Sequence, residues 1–266
     1  MPARERSGHT IAMSAKPSSS PSADVRAWHA SADEAAADAA RVARWTAWLT
    51  PAERVRYDGF HRDADRYMFL LGRVMARTLV SRAAGVPPLA WPWREGPHGR
   101  PEIDLADATL RFNVAHSAGL VICALADGRD VGVDVENLNR APTDRMIVRR
   151  YCSPAEVADI DAQPDDGWHE RFLIYWTLKE AYLKACGLGI SVHLSDVSFT
   201  ITWPTAHVEF LGSLRDAHTH WTFHLSRPTA GHLAAVAASR HDGVEPAIAI
   251  EPLSIDTLDR WTGSRP

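Results

Sequence analysis

The sequence predicts an α+β fold of two similar lobes, and three observations carry that prediction. The chain has 266 residues, enough to bury one large core or two small ones. Apolar residues recur at helical spacing from Ser31 to Gly85, and the period switches to two from Ala108 onward. Helix followed by strands returns in the second half, where a helix over 168–186 precedes four alternating segments. No close internal repeat accompanies this order, so the lobes are alike in pattern rather than in sequence.

Each element has a local cause. DVRAWHA (24–30) alternates apolar and polar residues and reads as a strand. SADEAAADAARVARWTAWL (31–49) is Ala-rich, with Ser31 as cap and acids in its first turn, and reads as one helix. Thr50, Pro51 and Glu53 have the order of a capping box with proline at the first helical position. A long amphipathic helix then ends at Gly85, and the Pro-rich VPPLAWPW (86–93) connects it onward. Leu110, Phe112 and Val114 alternate, GLVICAL (119–125) is a short apolar run, and ADGRD (126–130) is a turn into VGVDVE (131–136), an antiparallel meander. Ser153 and Pro154 mark a helix start, and Gly187 and Gly189 stop the helix over 168–186. VSFTITW, HVEFLG, HWTFHLS and HLAAVAAS follow as strands. The expected layout is a disordered leader (1–23), an N-terminal α+β lobe (24–125), a C-terminal α+β lobe (126–240) and a peripheral tail (241–266).

Bulk chemistry narrows the function. A net charge of -4 excludes a generally basic nucleic-acid binder, leaving only a local basic patch. Cys123, Cys152 and Cys186 are far apart and odd in number, which argues against a disulfide framework and for a reducing compartment. The Ser/Pro-rich leader lacks the apolar segment of a secretory signal, and no run is apolar enough to span a bilayer, so a cytoplasmic protein is expected. His218, His220, His224 and His232 alternate near the end without cysteine pairs, a pattern of scattered rather than zinc-binding histidines.

The strand VGVDVE raises the chemical question. Its valines share one face, while Gly132, Asp134 and Glu136 share the other. Residues two apart in a strand lie ~6.5–7 Å apart, so both acids can reach toward one ion, with Gly132 leaving room for a ligand. A solvent-facing edge with two hydrated acids is the plain alternative. Phe172, Trp176, Glu180 and Lys184 recur every four residues on a helix that is apolar on most sides. Glu180 and Lys184 form either a simple i, i+4 pair or a third carboxylate facing Asp134 and Glu136, with a lysine for phosphate. Three acids in one pocket call for a cation, and oxygen ligands suit Mg²⁺. Mg²⁺-assisted phosphoryl or nucleotidyl chemistry is the function these residues predict.

FNVAHS (112–117), VGVDVE (131–136) and WTLKEAYLK (176–184), in this order, resemble the Sfp-type phosphopantetheinyl transferases. PAERVRY (51–57), DRYMFLLGRVMARTLV (65–80) and GRPEI (99–103) extend the resemblance over about residues 45–200, most of the chain after the leader. It implies a pseudo-dimer of two α+β lobes with coenzyme A bound in the cleft between them. It further implies Mg²⁺-dependent transfer of the phosphopantetheine arm of coenzyme A to a serine of an apo acyl or peptidyl carrier protein, with adenosine 3′,5′-bisphosphate released. Carried over residue by residue, Asp134, Glu136 and Glu180 hold Mg²⁺, and Glu180 helps take the serine proton. Lys184 contacts the pyrophosphate, and Lys179 supports the helix in preference to adding to that field. Arg100 and Arg56 bind nucleotide phosphates, with Arg54 as the alternative to Arg56, and His116 binds the 3′-phosphate. Ala115 stands where the family has serine, which predicts a lost hydroxyl contact to coenzyme A and a lower Michaelis constant in Ala115→Ser. No nucleophilic Ser or Cys is needed, so Cys123 and Cys186 are left to packing. The resemblance implies secondary metabolism as the source of the acceptor, while the net acidity and the lack of a spanning run argue against nucleic acid and membrane as partners. A monomer is expected because one chain supplies both lobes. The rival readings are a Mg²⁺ phosphohydrolase or nuclease and a non-catalytic coenzyme A-binding protein.

Overall fold

The computed structural model describes residues 23–90, 93–95, 101–103, 109–187, 193–215, 220–241 and 243–263. Strand β1 (Val25–Ser31) leads into α1 (Ala32–Ala36), whose Glu34 amide donates to the Ser31 hydroxyl. The single helix expected over 31–49 is two. Asp38 Oδ1 accepts from the amides of Ala40 and Arg41 and so starts α2 (Ala39–Thr46) as a separate helix. Helix α3 (Pro51–Asp58) carries the capping box expected of Thr50 and Glu53. Helix α4 (Asp63–Ala84) ends at Gly85, whose φ of 69° is the left-handed cap that glycine adopts freely. The small pair β2 (Trp93–Glu95) and β3 (Pro101–Ile103) precedes the hairpin β4 (Leu110–Ser117) and β5 (Leu120–Asp127).

The second half opens with β6 (Val131–Asn137), then α5 (Arg145–Tyr151) and α6 (Pro154–Asp161), the latter with its own Ser153–Glu156 capping box. Helix α7 (Trp168–Cys186) ends at Gly187 in the left-handed conformation. Strands β7 (Val197–Thr202), β8 (Thr205–Phe210), β9 (Trp221–Thr229) and β10 (His232–Ser239) follow, and β11 (Ile248–Pro252) and α8 (Ile255–Gly263) close the described chain.

These elements make two sheets, β11-β1-β5-β4 and β6-β10-β9-β8-β7, besides the β2-β3 pair. Helix α4 covers the outer side of the first sheet and α7 that of the second. The inner faces meet in a core of small and β-branched residues that includes Val25, Ala124, Val133, Val135, Ala234 and Val236. Edges β4 and β6 adjoin there, and the Val133 amide donates to Asn113 Oδ1 at 2.9 Å in a buried bond. The result is helix, sheet, sheet, helix, the mixed α+β class that the alternation of periods predicts.

Residues 241–266 are expected as a peripheral tail, and the structure corrects this. Strand β11 pairs in parallel with β1, Val25 opposite Ile248, while Leu253, Ile255 and Leu258 are buried in the core around α4. The end of the chain therefore completes the first sheet. Strand β5 runs to Asp127, past the expected lobe boundary after residue 125. Residues 1–22 of the expected leader lie outside the described residues. Among the described residues no helix is long and apolar enough to cross a membrane.

Candidate active site

Strand β6 is buried on both faces. Its valines fill the inter-sheet core, and the opposite face lies under α7, so the solvent-edge alternative is excluded. Gly132 has a different purpose from the one expected. A Cβ there would stand 2.1 Å from Ala181 O and 2.4 Å from Ala185 N, so helix backbone, not a ligand, occupies the space. That close approach seats the turn bearing Glu180 and Lys184 beside Asp134.

Asp134 is 6 % exposed. Its Oδ1 accepts from Lys184 Nζ at 2.6 Å, whereas Oδ2 is buried without a hydrogen-bond partner. Glu136 Oε2 accepts from Arg140 Nη1 at 2.9 Å. Burial, and then the charge of Asp134, pushes the Glu136 carboxyl above its ordinary range against the pull of Arg140 and Lys184. Glu180 is raised by the same two causes in the same order, with Lys184 opposing and Glu136 adding to the rise. The three acids and Lys184 thus form one electrostatic unit. As the side chains stand, no group of three or more His, Cys, Asp or Glu among the described residues is drawn together as a metal cage. The donor set nevertheless fits a hard divalent cation. Its oxygens repel one another, and one of them is buried with nothing to satisfy it.

The cationic side comes from both lobes. His116 is exposed near the end of β4, on the face whose Phe112 and Val114 pack into the core around α4. Crowding by surrounding protein, followed by the positive charges of Lys184, Arg56 and Arg73, holds its imidazole below the usual value, and Asp65 opposes this. Arg54 is engaged with Asp58 at 2.9 Å, so of the two α3 arginines Arg56 is the one that acts on His116. Arg100 lies outside the described residues. Arg73 was not foreseen. It joins Glu53 of α3 at 2.9 Å, and Glu53 also takes Arg77 at 2.7 Å, which docks α3 on α4 beside His116. The signal was two arginines four apart inside an otherwise apolar helix, charges that burial makes costly without a partner.

Ala115 does not bear out the missing-hydroxyl expectation. It is 4 % exposed and belongs to the inter-sheet core, on the opposite face of β4 from His116. A serine side chain there would point away from the site. Lys179 supports the helix, as expected: its ammonium is fully buried and bonds Glu156 Oε2 at 2.8 Å, Leu194 O at 2.8 Å and Val197 O. Cys123 and Cys152 are buried, which pushes both thiols up to about 12 and leaves them inert. His232 bonds Thr229 Oγ1 through Nδ1 and the Ser117 carbonyl through Nε2.

Residues 130–237 match the 4′-phosphopantetheinyl transferase superfamily. A phosphopantetheinyl transferase of Thraustochytrium sp. is 32% identical over 234 residues, covering 83% of this chain and 81% of that protein. The 4′-phosphopantetheinyl transferase Sfp of Bacillus subtilis is 31% identical over 156 residues, 58% of this chain and 67% of that protein. HetI of Nostoc sp., also a 4′-phosphopantetheinyl transferase, is 32% identical over 158 residues, 59% of this chain and 66% of that protein. Among solved structures, the holo-[acyl-carrier-protein] synthase of Thermotoga maritima is 21% identical with a TM-score of 0.34, covering 42% of this chain and 62% of that one. The fold rests on the chain's own topology, not on that distant likeness.

Proposed function

Because the chain belongs to the 4′-phosphopantetheinyl transferase superfamily and is an enzyme of that kind, we propose that it transfers the phosphopantetheine arm of coenzyme A to a carrier-protein serine. The acceptor is an apo acyl or peptidyl carrier protein, and adenosine 3′,5′-bisphosphate is the second product. The observation that carries this reading is the meeting of two unlike charge groups at one place. Asp134, Glu136 and Glu180 gather about Lys184, and His116 lies within the reach of the charges of Lys184, Arg56 and Arg73. A diphosphate needs both, a metal-holding acid group and cations for its remaining charge.

Asp134, Glu136 and Glu180 would hold Mg²⁺, which when bound neutralises diphosphate oxygens and polarises phosphorus. The chain's own residues do the rest. His116, Arg56 and Arg73 bind the nucleotide phosphates. Lys184 reaches the diphosphate, where charge develops as the bridging oxygen leaves. The carrier's serine Oγ attacks the phosphorus bearing the pantetheine arm, a new O–P bond forms, and the bond to the bridging oxygen breaks. Glu180 accepts the serine proton. Helix α5 offers a docking face of suitable chemistry for an acidic carrier. Met146 is 75 % exposed and Ile147 38 %, and they sit among Arg145, Arg149 and Arg150.

The test is the mass of an apo carrier protein after incubation with enzyme, coenzyme A and Mg²⁺. Gain of one phosphopantetheine arm, lost with chelator and in Asp134→Ala, is expected. Phosphate release without a carrier would point to a hydrolase. Coenzyme A binding with no modification of carriers from fatty-acid, polyketide and nonribosomal-peptide systems would point to a non-catalytic protein.

A further inference from the structure

Each acid of β6 already holds a basic side chain. Lys184 Nζ lies 2.6 Å from Asp134 Oδ1, and Arg140 Nη1 lies 2.9 Å from Glu136 Oε2. Lys184 has a second destination in the proposed reaction, the diphosphate. Arg140 has none there. It sits in the loop after β6, four residues beyond Glu136, and its Nη2 is tethered to Thr143 Oγ1 at 3.3 Å. Its side chain is 39 % exposed, so turning outward to water costs it little, while the Glu136 side chain is only 14 % exposed and needs a positive partner. Neighbouring His169, whose ring feels the Arg140 charge, offers no anion in exchange. Among the described residues Glu136 is the one carboxylate paired with the guanidinium, through Nη1, while Nη2 stays on Thr143.

We infer that Arg140 is a built-in counter-ion that occupies Glu136 in the metal-free chain and competes with the divalent cation for that carboxylate. This rests on reading Asp134, Glu136 and Glu180 as the metal-holding group. Three carboxylates and two bases leave the cluster with one formal negative charge. A divalent ion added with both bases in place would reverse that sign, so release of the more exposed base eases its entry. Arg140 thereby sets the metal concentration at which the site fills, and it is a positioning residue, not a catalytic one. A plain surface ion pair would have no such effect on metal affinity.

The experiment titrates the full chain, without coenzyme A, with Mn²⁺ followed by electron paramagnetic resonance and with Mg²⁺ followed by calorimetry. Wild type, Arg140→Gln, Arg140→Lys and Asp134→Ala are compared, with thermal melts to establish folding. An ion pair with one half-exposed partner, exchanged for an ion, implies that Arg140→Gln binds Mn²⁺ about two- to five-fold more tightly. Arg140→Lys, which keeps the charge, stays close to wild type, and the gain in the glutamine variant shrinks in high salt. Equal or weaker binding in a folded Arg140→Gln protein, with normal binding in wild type, overturns the counter-ion role alone. Wild-type binding no better than that of Asp134→Ala removes the metal group itself, and the inference with it.

Discussion

Helix α7 carries two lysines five residues apart, and each meets a carboxylate from another element. Lys179 and Glu156 are both 0 % exposed, and every polar atom of the pair has an answer. Glu156 also accepts the amides of Ser153 at 2.7 Å and Phe199 at 2.9 Å, while Lys179 donates to two carbonyls besides. Lys184 and Asp134 are closer together, at 2.6 Å, yet the pair is incomplete, because Asp134 Oδ2 is buried and unanswered. The same chemistry thus serves two ends. A fully satisfied pair locks α6, α7 and the start of β7 together, and an incompletely satisfied one stands at the proposed site. Satisfaction of the remaining lone pairs, not the ion-pair distance, tells the two apart.

That contrast can be broken by substitution, from the largest stability effect to the smallest. Lys179→Met leaves Glu156 as an unpaired buried charge and should cost ~3–5 kcal/mol by urea denaturation. A loss below that of Lys184→Met would invert the comparison. Gly132→Ala forces α7 off β6 and should cost ~1–3 kcal/mol, with transfer activity lost because Glu180 and Lys184 move together. Lys184→Met should cost about 1.5 kcal/mol, the loss of one charge-assisted hydrogen bond to a largely buried carboxylate, but it should nearly abolish transfer.

Smaller effects sharpen the picture. Ala115→Ser should cost about 1 kcal/mol for a hydroxyl set in the inter-sheet core, with the Michaelis constant for coenzyme A unchanged. Glu180→Gln should end turnover while stabilising the metal-free protein by ~0.5–1 kcal/mol, through relief of carboxylate repulsion. The pH dependence follows from the raised Glu136 and Glu180 carboxyls. Between the ordinary carboxylate value and these raised ones the folded chain binds more protons than the unfolded chain. Stability of the metal-free protein therefore falls as pH rises through that window. The advantage of Glu180→Gln should fade as pH is lowered through it, and Mg²⁺ should bind more weakly there because protons compete. Melts of both proteins across pH would measure this.

What could be read from the sequence was local. Alternation gave β6 its two faces, the four-residue stripe placed Glu180 and Lys184 on one side of α7, and the capping boxes at Thr50 and Ser153 marked two helix starts. Asp38 was legible in principle as a cap but lay hidden in an alanine-rich run. The rest depended on distant partners. Strand β11 is short and pairs with β1 from the far end of the chain, so nothing in residues 248–252 announces its neighbour. Gly132 was singled out for the right property, the missing side chain, but only the packing of α7 shows what fills the space. Arg140 has an ordinary loop setting, and its bond to Glu136 depends on how the chain turns after β6. Ala115 was read by its neighbour His116, although adjacent strand residues face opposite ways.

The most direct test is a crystal grown with coenzyme A and Mn²⁺, measured for anomalous scattering from the metal. A manganese peak is expected at bonding distance from carboxylate oxygens of Asp134, Glu136 and Glu180, with Lys184 turned from Asp134 to the diphosphate. A map with no peak there, coenzyme A bound elsewhere and Lys184 still on Asp134 would contradict the proposed site.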